Sequence, residues 1–114
     1  MKKLEWVGDS LENLRHFPAE VSRPIGFALH TAQEGETPPN TKPLKGVDGV
    51  YEIVQQYNTD TYRAVYIAKL KNAIYVLHCF QKKSKKGKAT PLKDMKLIRR
   101  RLKEAQSHNI AYEG

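Results

Sequence analysis

The N-terminal third of the chain shows the alternation of a strand and then the spacing of two helices. Leu4–Val7 alternates apolar and polar residues, which predicts a short edge strand. Asp9 is then expected as the N-cap of a short helix, with Glu12 in capping-box spacing. A second helix is predicted with either a kink at Pro24 or a start near Ser22. Its apolar face consists of Val21, Ile25, Ala28, Leu29 and Ala32.

The middle of the chain has the composition of strands. Three β-rich runs, Val50–Val54, Tyr62–Ile67 and Ala73–Phe80, follow a Pro-rich loop over Gly35–Pro43. The turns between these runs are short, and a parallel crossover needs about a dozen residues. We therefore expect a three-stranded antiparallel meander, extended by the N-terminal strand.

The C-terminal segment predicts a basic helix. Thr90 is a typical N-cap, Pro91 a typical first residue, and Asp94 falls in the first turn. A narrow apolar stripe is formed by Met95, Ile98, Leu102 and Ala105. Much of the remaining helix surface is assigned to Lys96, Arg99, Arg100, Arg101 and Lys103. The sequence thus predicts a single α+β domain over residues 1–114: a small antiparallel sheet, two N-terminal helices and a basic C-terminal helix.

The composition excludes several classes of protein. The chain has 114 residues, of which 39% are hydrophobic and 28% charged, as in an ordinary globular domain. No apolar run approaches the roughly 18 residues of a membrane helix, and the N-terminus lacks a signal-peptide stretch. The single cysteine, Cys79, rules out an intrachain disulfide and fits a reducing compartment. We expect a cytoplasmic protein with no membrane partner.

The positive charge is concentrated in one segment. The net charge is +8, and residues 82–103 hold eleven basic residues and one acidic residue, which gives that segment +10. Such a local field attracts polyanions, although a solvated charged helix is the alternative. Five lysines in seven positions predict a phosphate-binding loop, or else a solvated one. These lysines are Lys82, Lys83, Lys85, Lys86 and Lys88.

Arg63 and the end of the last strand are the most informative candidates for chemistry. Arg63 shares a strand face with Val65 and Ile67, so it either pairs with Glu52 or grips a phosphate at the mouth of a cleft. The alternation of the last strand puts His78, Phe80 and Lys82 on one face, which is a stacking surface for RNA or part of the core. The four histidines and one cysteine show no metal-ligand spacing, and no cofactor motif is present.

Several motifs together carry a resemblance to a known family. They are Lys45-Gly46, Gly49–Ile53, Tyr62–Tyr66, Leu77–Ser84 and Thr90-Pro91. Over residues 4–106 the sequence resembles the RelE/ParE toxin superfamily, and within it the phage-derived HigB-like toxins. The resemblance implies helices packed on an antiparallel sheet and metal-free cleavage of messenger RNA on the ribosome. It also implies neutralisation by an antitoxin, which in HigB systems is a helix-turn-helix protein of the HigA kind.

The resemblance also implies roles for single residues. Arg63 matches the strand arginine that stabilises the scissile phosphate, and Lys82 and Lys83 match basic residues that contribute to cleavage. Glu52 and Val54 stand where RelE has lysines, and the C-terminal tyrosine of RelE has no clear counterpart. The predicted RNA contacts are Lys45, Phe80, Lys85, Lys86, Lys88, Arg99 and Arg100.

Metal-free RNA cleavage needs a base for the 2′-hydroxyl, an acid for the 5′-oxygen and cations for the phosphate. Arg63 suits the last task, and a lysine crowded by cations has a lowered pKa, so Lys82 or Lys83 can exchange a proton. Glu52 and His78 are the rival proton carriers. Two other functions remain open. One is inhibition of DNA gyrase, the activity of ParE-like relatives, which lack the phosphate-directed residues. The other is RNA binding without catalysis.

Overall fold

The computed structural model describes residues 1–82 and 89–113. Its strands are β1 Lys3–Trp6, β2 Thr41–Pro43, β3 Val50–Tyr57, β4 Asp60–Ile67 and β5 Ala73–Lys82. They form one sheet in the order β1-β5-β4-β3-β2. As predicted, β3, β4 and β5 are an antiparallel meander and β1 extends it. The pairing of β1 with β5 is parallel, whereas the sequence pattern predicts a wholly antiparallel sheet. The α+β fold expected from the sequence is confirmed.

The helices cover both faces of the sheet. They are α1 Ser10–Arg15, α2 Ala19–Gln33 and α3 Leu92–Glu113. Side chains of β4 alternate between two cores, because successive residues of a strand point to opposite faces. Ala64 packs with α1 and α2, whereas Val65 and Ile67 pack with Ile98 of α3. The second side is called the α3 face below.

Two elements differ from the sequence prediction. The Pro-rich loop contains β2, whose three residues pair antiparallel with Tyr51–Ile53. A strand this short has no readable alternation, and Pro43 is tolerated because β2 is an edge strand. Helix α2 begins at Ala19 and runs through Pro24, which is exposed on its surface. The alternative start near Ser22 is therefore wrong.

Asp9 and Arg101 form an ion pair that the sequence did not indicate. Asp9 precedes α1 but makes no side-chain cap hydrogen bond, so the predicted capping box is wrong. Its carboxylate instead accepts a hydrogen bond from Arg101 Nη2 at 2.7 Å, and this bond lowers the pKa of Asp9. Arg101 is buried rather than exposed, and its Nη1 donates to the Leu77 carbonyl at 3.0 Å. A Cβ on Gly8, which has a φ of +57°, would lie only 2.6 Å from this guanidinium, so the turn requires glycine.

The outer edge of β5 is covered by side chains where β1 ends. Ser10 Oγ donates to the Val76 carbonyl and Asn13 Nδ2 donates to the Cys79 carbonyl, each at 3.1 Å. The Val76 carbonyl also accepts from the Val7 backbone N–H at 2.9 Å. The bonds from Asn13 and Arg101 satisfy the carbonyls of Cys79 and Leu77, which follow the end of the pairing with β1. Within the described ranges no helix is both long and apolar enough to cross a membrane.

A β-bulge at Leu77 reverses which face of the sheet each later side chain of β5 points to. Val65 pairs with His78 whereas Tyr66 pairs with Val76, so Leu77 is the extra residue. Tyr75 and Leu77 belong to the core of the α3 face. After the bulge His78 and Phe80 also lie on that face, as the partners of Val65 and Arg63. The bulge therefore brings the end of β5 onto the same side as Arg63.

We expect Arg101→Met to lower the free energy of unfolding by about 1–3 kcal/mol, because the Leu77 carbonyl loses its donor. Urea denaturation followed by circular dichroism measures this change. Arg99→Met is the matched control on the same helix. Arg99 is exposed and, among the described residues, donates to the Gly46 carbonyl alone at 3.2 Å, so its loss should cost no more than about 0.5 kcal/mol. Equal losses in the two variants would contradict the role of Arg101 at the bulge.

Candidate functional site

The candidate site lies where the sheet extends past the start of α3. Helix α3 runs antiparallel along β5: Asp94 contacts His78, Arg101 contacts Leu77, and His108 contacts Tyr75. The end of β5 therefore lies beyond the first turn of α3. Six side chains share this part of the α3 face in the pairing register. They are Lys42, Glu52, Arg63, His78, Phe80 and Lys82.

Arg63 forms a buried ion pair with Glu52. Arg63 Nη1 donates to Glu52 Oε1, and the two side chains are 4% and 5% exposed. Of the two interpretations left open by the sequence, the pairing with Glu52 is confirmed. Because an isolated buried guanidinium is costly, the carboxylate makes its position on this apolar face possible. The pair holds the guanidinium in one orientation on the sheet.

Lys82 is the nearest cation to this pair on β5. Its side chain is buried, and its Nζ donates to the Ala89 carbonyl. Burial is the main cause that lowers the pKa of Lys82, and the positive charge of Arg63 adds to it, whereas Glu52 opposes the shift. The direction of the shift is the one expected from the sequence. Its main physical cause is desolvation rather than crowding by cations.

His78 is held by Asp94 from the first turn of α3. His78 Nε2 lies 2.8 Å from Asp94 Oδ1, and its ring stacks on Phe80 with centroids 4.7 Å apart. Burial lowers the pKa of His78, and the hydrogen bond and charge of Asp94 oppose this shift. The sequence placed Asp94 in the first helical turn but gave no signal of this contact, because 16 residues separate it from His78.

A groove opens between His78 and α3. It has a volume of about 410 Å³ and is lined by His78, Lys93, Asp94, Lys96, Leu97 and Arg100. Lys93, Lys96 and Arg100 are exposed, and they make no hydrogen bond or ion pair within the part of the chain that the structure describes. Of these cations only Arg100 was predicted as an RNA contact.

The other predicted RNA contacts are dispersed. Lys45 is exposed in the loop before β3, and Arg99 donates to the Gly46 carbonyl and does not line the groove. Phe80 is 8% exposed and belongs to the core of the α3 face. Of the two interpretations left open for Phe80 by the sequence, the core position is confirmed, and its ring stacks on that of His78. The predicted residues Lys83, Lys85, Lys86 and Lys88 lie outside the described residues.

No cluster of three His, Cys, Asp or Glu residues suited to a metal ion occurs within residues 1–82 and 89–113. Cys79 is fully buried on the side of α1 and α2, and burial raises the pKa of its thiol to about 12. A thiol with so high a pKa is a poor nucleophile at neutral pH.

The site has the parts for charge stabilisation and proton transfer. Arg63 is a fixed cation on a rigid sheet, and Lys82 is a desolvated ammonium beside it. His78 is an imidazole fixed by a carboxylate, which is the arrangement that orients a proton carrier in many enzymes. An anionic substrate that develops further charge during its reaction suits this arrangement.

Comparisons with known proteins identify a family for the chain and a solved structure with a similar fold. Residues 12–103 match the family model described as Phage derived protein Gp49-like (DUF891). Among solved structures, a double mutant of the E. coli toxin RelE in the free state is similar, with a TM-score of 0.54 and 21% sequence identity. The match covers 68% of this chain and 80% of the RelE chain. A search of curated proteins found no match.

The structural likeness shows a shared fold, and the family model spans most of the chain, including Glu52, Arg63, His78, Lys82 and Asp94. This protein therefore belongs to the Gp49-like family of phage-derived proteins and has the fold of the toxin RelE.

Proposed function

We propose that this protein is the toxin of a HigB-like toxin–antitoxin pair and that it cuts messenger RNA on the ribosome without a metal ion. The observation that carries the proposal is the position of Arg63 and Lys82 on one sheet face beside the groove at His78. Membership of the Gp49-like family and the RelE fold support it.

In this proposal Arg63 stabilises the scissile phosphate. A guanidinium carries five N–H donors in a planar fork, so it can hold a carboxylate and a phosphate oxygen at the same time. Glu52 fixes the orientation of that fork before substrate arrives. A cation held in place in a dry site stabilises developing charge without reorganising, which is the largest contribution in many enzymes.

His78 and Lys82 move the two protons. A carboxylate only accepts hydrogen bonds, so neutral His78 donates from Nε2 to Asp94 and keeps the lone pair on Nδ1. Nδ1 takes the proton of the 2′-hydroxyl while the 2′-oxygen bonds to phosphorus. The bond from phosphorus to the 5′-oxygen breaks, and Lys82 gives its proton to that oxygen. The products are a 2′,3′-cyclic phosphate and a 5′-hydroxyl. Lys83 remains a predicted contributor outside the described residues.

The ribosome supplies the positioning that this small site lacks. Holding the message in reactive geometry contributes several kcal/mol, so a few protein groups suffice. The partner that silences the toxin is a helix-turn-helix antitoxin of the HigA kind, encoded beside it.

We expect Arg63→Lys to reduce ribosome-dependent cleavage by about 10²–10³-fold, because lysine keeps the charge beside Glu52 but lacks the planar fork. Primer extension on a translated message measures the cleavage, and growth arrest on expression reports it in cells. Arg23→Lys is the matched control, since Arg23 is exposed on α2 at the other face.

If the Arg63→Lys variant is folded by circular dichroism and cleaves as fast as the wild type, Arg63 does not stabilise the scissile phosphate. Inhibition of DNA supercoiling by the wild-type protein, without cleavage of any message, would show the gyrase inhibitor instead.

We expect cleavage to fall at alkaline pH as Lys82 loses its proton, at a pKa below the ordinary 10.5 of lysine. Lys82→Arg should lower the rate and remove this alkaline limb, because arginine stays protonated. The measurement is kcat against pH in a translation-coupled assay. An alkaline limb that is identical in Lys82→Arg and wild type would show that another group donates the proton.

We expect Asp94→Asn to slow cleavage by about 10²–10⁴-fold, since the amide no longer fixes the tautomer of His78. Asp94 opposes the lowering of the pKa of His78, so its loss should move the acid limb of the pH profile to lower pH. A slower enzyme with an unmoved acid limb would indicate that Asp94 acts only on stability.

A further inference from the structure

A large open cleft lies on the face of the sheet opposite to Arg63. It opens between the end of α2 and the loop that joins β4 to β5, and it has a volume of about 1050 Å³. Tyr51 and Tyr66, which pack on the side of α1 and α2, line it. A cleft of this volume has room for a small-molecule ligand. The described residues that we assign to RNA cleavage do not line it, so it is distinct from the Arg63 site.

Tyr66 brings an unsatisfied polar group to this cleft. The residue is 2% exposed, and its hydroxyl makes no hydrogen bond among the described residues. Burial raises the pKa of Tyr66 to about 12, so the hydroxyl keeps its proton at neutral pH and can donate. Its ring stacks on that of Tyr51, with the centroids 5.9 Å apart. Polar groups in buried positions are nearly always bonded, so this donor indicates a ligand that supplies an acceptor.

Two lysines of the loop between β4 and β5 favour an anionic acceptor. Lys69 and Lys71 are exposed and line the cleft, and neither makes a hydrogen bond or ion pair within residues 1–82 and 89–113. Lys2 Nζ holds the loop by donating to two of its carbonyls, at 2.5 and 2.8 Å. The absence of a side chain at Gly49 makes room for Lys69, since a Cβ there would lie 2.7 Å from it. A hydroxyl donor and two ammonium groups suit a phosphate.

The end of α2 adds carboxylates to the same cleft. Glu34 and Glu36 are exposed and line it. These carboxylates repel an anion that has no donors of its own, so the ligand must carry hydroxyl or amino groups besides its negative charge. Carboxylates accept hydrogen bonds from the ribose hydroxyls at many nucleotide sites. Tyr51 is half-buried and adds an aromatic surface, on which a nucleobase can stack.

We propose that this cleft binds a nucleoside monophosphate. The phosphate accepts from Tyr66 and lies near Lys69 and Lys71, the ribose hydroxyls donate to the carboxylates at the end of α2, and the base lies against Tyr51. This inference does not depend on the proposed nuclease activity, because the two sites lie on opposite faces of the sheet.

Calorimetric titration of the full chain with adenosine 5′-monophosphate tests the hydroxyl. We expect Tyr66→Phe to weaken binding about tenfold, because a hydrogen bond to a charged group is lost while the ring stays. Tyr62→Phe is the matched control, since Tyr62 is buried on the same face of β4 but does not line the cleft. Unchanged binding by a folded Tyr66→Phe variant would overturn the proposal.

The same titration tests the charges and the identity of the ligand. We expect Lys69→Ala to weaken binding about threefold, and Lys96→Ala, which removes the same charge from the groove at His78, to leave it unchanged. Adenosine lacks the phosphate and ribose 5-phosphate lacks the base, so each should bind at least about tenfold more weakly than the nucleotide.

A loss as large in Lys96→Ala as in Lys69→Ala would overturn the cleft, because binding would then follow net charge or occupy the groove. Equal binding of ribose 5-phosphate, or no binding of adenosine 5′-monophosphate at millimolar concentration, would overturn the nucleotide. A wild-type protein that binds the nucleotide through Tyr66 but cuts no message would support the cleft and refute the nuclease. Cleavage of message without any binding in the cleft would do the reverse.

Discussion

The buried ion pair between Arg63 and Glu52 is the constraint on which the candidate site depends. Each buried charge loses several kcal/mol of hydration, and two apolar residues of similar size would stabilise the sheet at least as well. The pair therefore adds little to the free energy of unfolding, because the lost hydration offsets the attraction between the charges. What it provides is a guanidinium of fixed orientation on a rigid strand, next to a desolvated lysine.

Helix α3 joins the stability of the fold to the site. Ile98 and Ala105 bury its apolar stripe against the sheet, and Arg101 bonds the carbonyl at the β-bulge. From the same helix Asp94 holds His78, and three cations face the groove. Docking α3 therefore completes the core and desolvates the imidazole in one step. The lowered pKa of His78 is a consequence of that burial.

The shared fold with RelE does not by itself carry the chemistry, because one fold supports different sites. In this chain a carboxylate, Glu52, and an apolar residue, Val54, occupy the first meander strand on the α3 face. The carboxylate neutralises Arg63 in the free protein, so the nearby positive charge comes from Lys82, Lys42 and the groove. The described cations on this side of the sheet that are not paired with a carboxylate therefore come from three elements: β2, β5 and α3.

The sequence by itself determined the elements and their order. The β-rich composition of β3, β4 and β5, and the apolar spacing of α2 and α3, are local properties, so they are readable without knowledge of the partners. Strand β2 could not be predicted from such local properties, because three residues that include Pro43 are too few to show an alternation of apolar and polar positions. Arg63 and Glu52 were identified as candidates by chemical type, and their pairing followed from neighbouring strands.

Only the tertiary structure decided which faces meet. With uninterrupted alternation from Tyr75, the side chains of His78 and Lys82 would lie on the opposite face from Arg63. The bulge at Leu77 reverses that facing, and it is held by Arg101 from 24 residues away. The bond between Asp94 and His78, and the position of Arg100 but not Arg99 in the groove, depend likewise on how the helix docks. Such contacts join distant residues, and a linear pattern of hydrophobicity and charge contains no distances between them.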